Sequence, residues 1–489
     1  MTPNNLLKRL RWLSLLLITT ILVLIFRSPA IAQTPRHYTD LEFPPLGEIK
    51  IPDYERNELD NGMVVYLMED HNLPLVNGTA IIRTGSRLEP SQQVGLAEVT
   101  GTVMRTGGTK THPSDQLNEL LEQRAAQVET SISQISGNAA FSSLSEDLPT
   151  VFNLFAEVLR EPAFAPKQLE LAKTGQKGAI ARRNDDPKNI ARREFRKLIY
   201  GETSPYARTE EYNTINTISR EDLIAFHQKY YRPDGIILGI VGDFDPKIVK
   251  DLIAENFGNW KTSTPKPEIS VPSATQKFEQ GLFFVNQPQL SQSSILLGHL
   301  GGELNSPDYP ALSVLNGIMN GFGGRLYNEV RSRRGLAYSV YGLWRASYDY
   351  PGLFAGGGQT RSQTTVSFIE SMMQEIEKIR ANPIREEELI RAKESILNSF
   401  VFKFENPSQT LSRLMIYEYY DYPKDFIFKY QQGVKATTVE DIQRVAQKYL
   451  VPERMVTLVV GNNEEIQPPL TGLGKNITTV DISIPEPRI

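Results

Sequence analysis

Glu221-Asp222-Leu223, Gln228-Lys229-Tyr230, Pro233 and Gly242 return later in the chain as Glu440-Asp441-Ile442, Gln447-Lys448-Tyr449, Pro452 and Gly461, every match displaced by the same 219 positions. A constant offset without gaps signals a duplicated domain. Each copy has one physical design: an acidic helix start, apolar residues at helical spacing, a proline that stops the helix, then an apolar strand. The strands are expected at Ile236 to Val241 and at Met455 to Val460.

Working outward, the polar, proline-bearing stretch Lys261 to Glu268 suits a semi-extended surface linker, placed at 263–278. It separates an N-terminal half, 45–262, from a C-terminal half, 279–465. Asn61-Gly62 reads as a turn entering a strand at Met63 to Met68. Strands and long helices alternate without the strict rhythm of a doubly wound sheet, so the fold class is α+β, each half a mostly antiparallel sheet packed with helices. The tail, 466–489, is rich in Pro, Asn and Thr and is expected to be partly ordered at best.

The chain is 489 residues long, enough for two sizeable cores. Its N-terminus has the layout of an export signal over residues 1–32: Lys8, Arg9 and Arg11, then an apolar run from Trp12 to Phe26, then Ala30-Ile31-Ala32 as a cleavage site. This predicts a periplasmic or extracellular protein beginning near Gln33, with no stable membrane span after cleavage. The alternative is an uncleaved anchor, for which the run is shorter than the roughly 20 residues that cross a bilayer. With 53 basic and 57 acidic residues the net charge is −4, which offers no general attraction to phosphate backbones and argues against nucleic acid as a partner. The absence of cysteine excludes disulfides, thiolate metal sites and a cysteine nucleophile.

The segment Gly321 to Tyr341, GFGGRLYNEVRSRRGLAYSVY, resembles the C-terminal-half signature of the pitrilysin or insulinase metallopeptidases, relatives of the mitochondrial processing peptidase. In that family an arginine ending a helix is followed seven residues later by a strand tyrosine; here these are Arg331 and Tyr338. Asp60-Asn61-Gly62, Arg83 to Arg87, Gly95-Leu96-Ala97 and Asp185-Asp186-Pro187 extend the resemblance over about residues 50–465. It implies two homologous halves facing each other like a clam shell around a peptide-holding chamber. It also implies that Arg331 and Tyr338 act on the scissile peptide: arginine offers a fixed fork of donors for peptide carbonyls, and a phenol hydroxyl can donate to an oxyanion.

The sequence departs from the family where zinc would bind. Active members carry H-x-x-E-H, two histidine ligands flanking a glutamate that activates water, with a distant glutamate completing the site. Here Gly95-Leu96-Ala97 is followed by Glu98, Val99, Thr100, Gly101 and Thr102, and the distant-ligand region holds Gly178 and Ala179. The five histidines, at 37, 71, 112, 227 and 299, are too scattered to replace the motif. No metal or other cofactor is expected on this chain.

The expectation is therefore a non-catalytic subunit that binds unfolded or short peptides and completes a site on a homologous partner bearing H-x-x-E-H and zinc, in a heterodimer. A purely structural or peptide-binding member is the alternative. Gly356-Gly357-Gly358 is a candidate place for close approach by an extended peptide, or else a flexible bend. His227, on a helix face shared with Phe226 and Tyr230, is expected to be packed, and Glu98 to be a surface residue.

Overall fold

The computed structural model describes residues 51–262 and 264–486. The expected export signal lies outside them. Two six-stranded sheets dominate. The first has the order β1-β2-β6-β3-β5-β4, formed by Glu55–Glu58, Val64–Glu69, Leu75–Ile82, Gln127–Ile132, Gly137–Leu144 and Ile236–Gly242 for β1 to β6. The second has the order β12-β7-β11-β8-β10-β9, formed by Gly281–Asn286, Gln292–Leu300, Ala337–Arg345, Leu353–Arg361, Val456–Gly461 and Ile477–Thr479 for β7 to β12. In each sheet the repeat strand, β6 or β11, pairs parallel to the first long strand of its half and antiparallel to the next. The two halves thus share one topology, α+β and mostly antiparallel, as the repeat predicted.

The duplication extends to helix ends. Ser219 accepts from the Asp222 amide while Asp222 reaches back to Ser219, and Thr438 and Asp441 do the same 219 positions later. These reciprocal caps satisfy amides that the first helical turn leaves free, and so they start the helices Arg220–Tyr230 and Val439–Tyr449 at fixed points.

Each sheet packs its own helices on one face. The second face is covered by a helix from the other half. Pro187–Tyr200, capped by Asp186, lays Ile190, Phe195, Leu198 and Ile199 on Phe283, Val285, Val456, Leu458 and Val460 of the second sheet. Its counterpart Pro407–Tyr419, capped by Asn406, lays Leu411, Leu414, Met415 and Tyr419 on Tyr66, Met68, Ile237 and Val241 of the first. Gly239 permits this approach, since a Cβ there would lie 2.3 Å from the Met415 sulfur.

Polar bonds reinforce the exchange. Arg87, 5% exposed, makes a two-pronged bond to Asp349 at 3.0 and 2.7 Å. Arg56 and Tyr66 both reach Glu418, and Tyr206 stacks on Tyr350 at 4.2 Å.

The tail contributes a short element to the second sheet. Ile477–Thr479 adds to β7 as a parallel edge strand, and the alternating apolar residues Val480 and Ile482 join the core between the halves. The short strand and the half-buried Val480 and Ile482 fix this part of the tail against the second sheet.

Replacing Arg87 by Ala strands a carboxylate at the junction, so Arg87→Ala and Asp349→Ala should each lower unfolding free energy by roughly 3 kcal/mol. The double variant should cost clearly less than the sum. Urea denaturation of the four proteins gives the coupling energy, and strict additivity would mean the pair does not join the halves.

Candidate functional site

The helix that would carry a zinc motif is Leu96–Thr106, entered through Gly95 in the left-handed region at φ 103°. Its first amides are held by Glu89, which accepts from Gly95 and Ala97 at 3.1 and 2.9 Å. Burial pushes the Glu89 carboxyl up to about 7 against the pull of those two amides.

Glu98 is exposed and accepts from Gln176 of the helix Pro166–Ala181 at 2.6 Å. The two helices therefore meet at the family's metal position, but through an amide and a carboxylate. Gly101 stands where the catalytic glutamate would be. A Cβ on it would lie 2.6 Å from the Ile132 amide nitrogen and 2.9 Å from the Ser131 carbonyl carbon, both in β4. Thr130 also donates to the Gly101 carbonyl at 2.6 Å, and Arg105 to the Val128 carbonyl at 2.7 Å. The helix thus closes directly on the sheet edge.

These positions do not fit zinc. Glu98 is the single ionisable donor among 98, 101 and 102, Gly178 faces open space, and no group of three or more His, Asp or Glu side chains among the described residues is placed to hold a metal ion. His227 is buried between Phe164 and Tyr231 with Nε2 at 2.8 Å from the Leu159 carbonyl, and burial pushes it down to about 4; it is a packed residue, as expected.

Arg331 and Tyr338 lie together in the second half. Residues Tyr327–Arg333 form a π-helix, a widened turn that re-aims side chains and is frequent at functional sites. Gly335, at φ 61°, ends it, and the amides of Gly335 and Leu336 return to the Arg331 and Val330 carbonyls. Arg331 is held between two aromatic faces, 4.8 Å from the Tyr327 ring centre and 4.7 Å from that of Tyr338. Its neighbours differ: Arg333 and Arg334 are both bonded to Glu329, whereas no carboxylate among the described residues pairs with Arg331. Tyr338 is 83% exposed and its hydroxyl has no hydrogen-bond partner among them.

The sequence did not single out Tyr327 or Phe322. Phe322, 86% exposed, packs edge-on to Tyr327 at 5.2 Å, so Phe322, Tyr327, Arg331 and Tyr338 form one stack. The four-residue helical spacing of Tyr327 and Arg331 was the available signal.

β9, which carries Tyr338, is an edge strand, and its far part is closed. Asn316 of the helix Tyr309–Met319 and Asn320, which caps its C-terminal end, each donate to and accept from its outer edge, at Trp344 and Gly342 respectively. A further strand cannot pair there. Gly356-Gly357-Gly358 lies in β10, paired with β8 on one side and β9 on the other, so it is not a bend. Its backbone groups are committed to the sheet, and the close approach that Gly356 and Gly358 allow is by Met372 and Phe368 of the helix Thr365–Ala381. An extended peptide cannot add to the ladder at these glycines.

Comparison with known proteins addresses the chain as a whole. Residues 64–205 match the model described as insulinase (peptidase family M16), and residues 217–396 match the peptidase M16 inactive domain. An uncharacterized zinc protease of Bacillus subtilis, YmxG, is 26% identical over 73% of this chain and 86% of its own length. A Helicobacter pylori protein named as a non-peptidase homolog of YmxG is 24% identical over 81% of this chain and 91% of its own. Among solved structures, a peptidase M16 inactive domain from Pseudomonas fluorescens superimposes with a TM-score of 0.76 at 24% identity, covering 85% of this chain and 100% of the other. The periplasmic protease PqqL of Escherichia coli gives 0.70 at 17% identity over 84% of this chain and 46% of that one. At such identities the structural likeness speaks for the fold.

Two outcomes follow from the first-half helix. Gly101→Ala should destabilise by roughly 1–3 kcal/mol because the added carbon meets strand backbone, whereas Glu98→His should stay within about 0.5 kcal/mol; thermal or urea melts compare them, and a neutral Gly101→Ala would refute the close contact. For Glu89 the folded state keeps a proton that the unfolded chain has lost between about pH 4.5 and 7. Stability should therefore fall as pH rises through that window, at up to ~1.4 kcal/mol per unit, and Glu89→Gln should flatten the slope.

Proposed function

Because this chain belongs to the insulinase family of peptidases, family M16, we propose that it acts as the non-catalytic subunit of a two-chain zinc peptidase, exported with its partner. The partner would be a homologous chain bearing H-x-x-E-H and its zinc. This chain would hold an unfolded or short peptide and present Arg331 and Tyr338 to the bond being cut.

The observation that carries the reading is the pair's geometry. A guanidinium held between two rings and bonded to no carboxylate keeps its donors for another molecule. An exposed tyrosine whose hydroxyl has no partner can donate to an oxyanion that forms only when a peptide is attacked. Neither arrangement is needed to hold this fold together. The residues at 98, 101 and 102 leave attack on the peptide to the partner.

A second reading is favoured by the Helicobacter pylori relative named as a non-peptidase homolog. On that reading the same face binds peptide or another protein without cleavage.

The deciding assay uses the purified chain, alone and with a candidate H-x-x-E-H partner, on unstructured peptides. Cleavage is expected in the mixture alone, and Tyr338→Phe should lower it roughly a hundred- to a thousandfold. Silence with every partner, or cleavage indifferent to Tyr338→Phe, would transfer the case to the non-cleaving reading.

A further inference from the structure

The exchanged helix Pro187–Tyr200 does not cover the second sheet to its edge. Between them runs an open groove in two connected sections of about 350 and 580 Å³, which share Lys188, Ser339 and Gln359. It begins beside Tyr338 and Arg361 and ends at Tyr341, Arg192 and Arg345. Ser339, Tyr341 and Arg345 occupy one face of β9 by strand alternation, while Lys188 and Arg192 stand one turn apart on the helix opposite.

The charge of this groove is one-sided. Four cations line it, Lys188, Arg192, Arg345 and Arg361, and no aspartate or glutamate does. None of the four forms an ion pair among the described residues, although the chain as a whole is slightly acidic. Arg192 meets the neutral Asn189 amide. The Arg345 and Arg192 guanidiniums both act on the Tyr341 hydroxyl, pulling it down where burial pushes it up, which places them at the same end of the groove.

The uncharged polar lining includes Gln292, Ser294, Ser339, Gln359 and Thr360, with Ile295 and Leu296 in the floor. Those groups suit the amides and carbonyls of an extended chain. The aromatic residues of the lining, Tyr338 and Tyr341, stand at its two ends and do not form a continuous row on which successive bases could stack. From Ser339 to Arg345 the strand rises on the order of 20 Å, the length of about six extended residues.

We infer that this groove selects acidic peptides: an extended segment rich in Asp and Glu lies between β9 and the exchanged helix, its carboxylates met by Lys188, Arg192, Arg345 and Arg361. The inference rests on the peptide-holding role proposed above and names its substrate class. Selection arises because a lysine-rich segment would meet four like charges, whereas an acidic one is drawn in and held.

The test is fluorescence anisotropy with the purified chain alone and three labelled twelve-residue peptides of one spacing, bearing glutamate, glutamine or lysine at alternate positions. At low salt the glutamate peptide should bind at least ~10-fold tighter than the glutamine peptide and the lysine peptide weakly or not at all, and the glutamate peptide should bind progressively less as salt screens the charges. Arg192→Glu and Arg345→Glu, both at exposed positions, should each weaken it roughly 10-fold. Lys435→Glu, an exposed charge reversal on another helix, should leave it unchanged.

Equal affinity for the three peptides, indifference to both groove reversals, or tighter binding of an oligothymidylate than of the glutamate peptide would overturn the inference. If any of these occurred while partner-dependent, Tyr338-dependent cleavage persisted, the subunit role would stand without the acidic selectivity. Acidic binding that is lost in both reversals, with no partner ever giving cleavage, would leave the groove in place and remove the protease role.

Discussion

Each sheet of this molecule keeps its second face dry by borrowing a helix from the other half. The two borrowed helices, Pro187–Tyr200 and Pro407–Tyr419, occupy corresponding places in the duplicated halves and begin in the same way, with an Asp or Asn cap followed by proline. Pulling the halves apart would expose Phe195, Leu198, Leu411, Leu414 and Met415 together with the strand residues beneath them. At roughly 1.5–3 kcal/mol for each large apolar side chain, the cost far exceeds what a bound peptide could supply. The buried Arg87–Asp349 bond acts in the same direction. The described residues of the two halves accordingly form one compact unit, and any other molecule has to reach it at its surface.

That rigidity gives meaning to the altered zinc helix. In the first half, Leu96–Thr106 closes on β4 so tightly that position 101 has no space for a Cβ. The loss of the glutamate is therefore more than the loss of one functional group, because the volume its side chain would need is taken by the Ser131 and Ile132 backbone. Gln176 meeting Glu98 likewise fills the position between helices where a metal would need converging donors. The substitutions are coupled through packing, and reverting any one residue would not restore the others' geometry.

How much of this could be read in the sequence follows from the range over which each feature is encoded. The repeat from Glu221 to Gly242 and from Glu440 to Gly461 is contiguous and carries its caps, proline stops and strands with it, so the two-half α+β fold was legible. Arg331 and Tyr338 were legible through their spacing within a resembling stretch. The clasp by Tyr327 was not singled out, because its four-residue spacing from Arg331 is common to any helix and the π-helix that aims the two groups is not written in that spacing. The three glycines at 356–358 read equally well as a bend or a peptide contact, and their partners, Met372 and Phe368, become visible once the helix after them is placed. The short strand in the tail was not legible because the tail's composition is that of a loop, while its strand partner lies nearly two hundred residues earlier in β7. The cationic groove joins residues from both halves, so no local pattern contained it.

The two sheet edges, though equivalent by duplication, have opposite characters. At β4 the edge is closed by the helix backbone at Gly101 and by Arg105. At β9 it is closed over Gly342 and Trp344 by two asparagines, while the end at Tyr338 carries uncommitted groups: a guanidinium between rings, a hydroxyl without a partner and an exposed Phe322. Large aromatic surface left in water is a standing cost to the free chain, relieved when another surface covers it. The half that has lost its own reactive groups is sealed, and the half that keeps the Arg-Tyr pair is left open at the point where those residues stand. The donors of Arg331 and Tyr338 thus stand at an accessible point of the surface, bounded by the asparagine clamp on one side and the exchanged helix on the other.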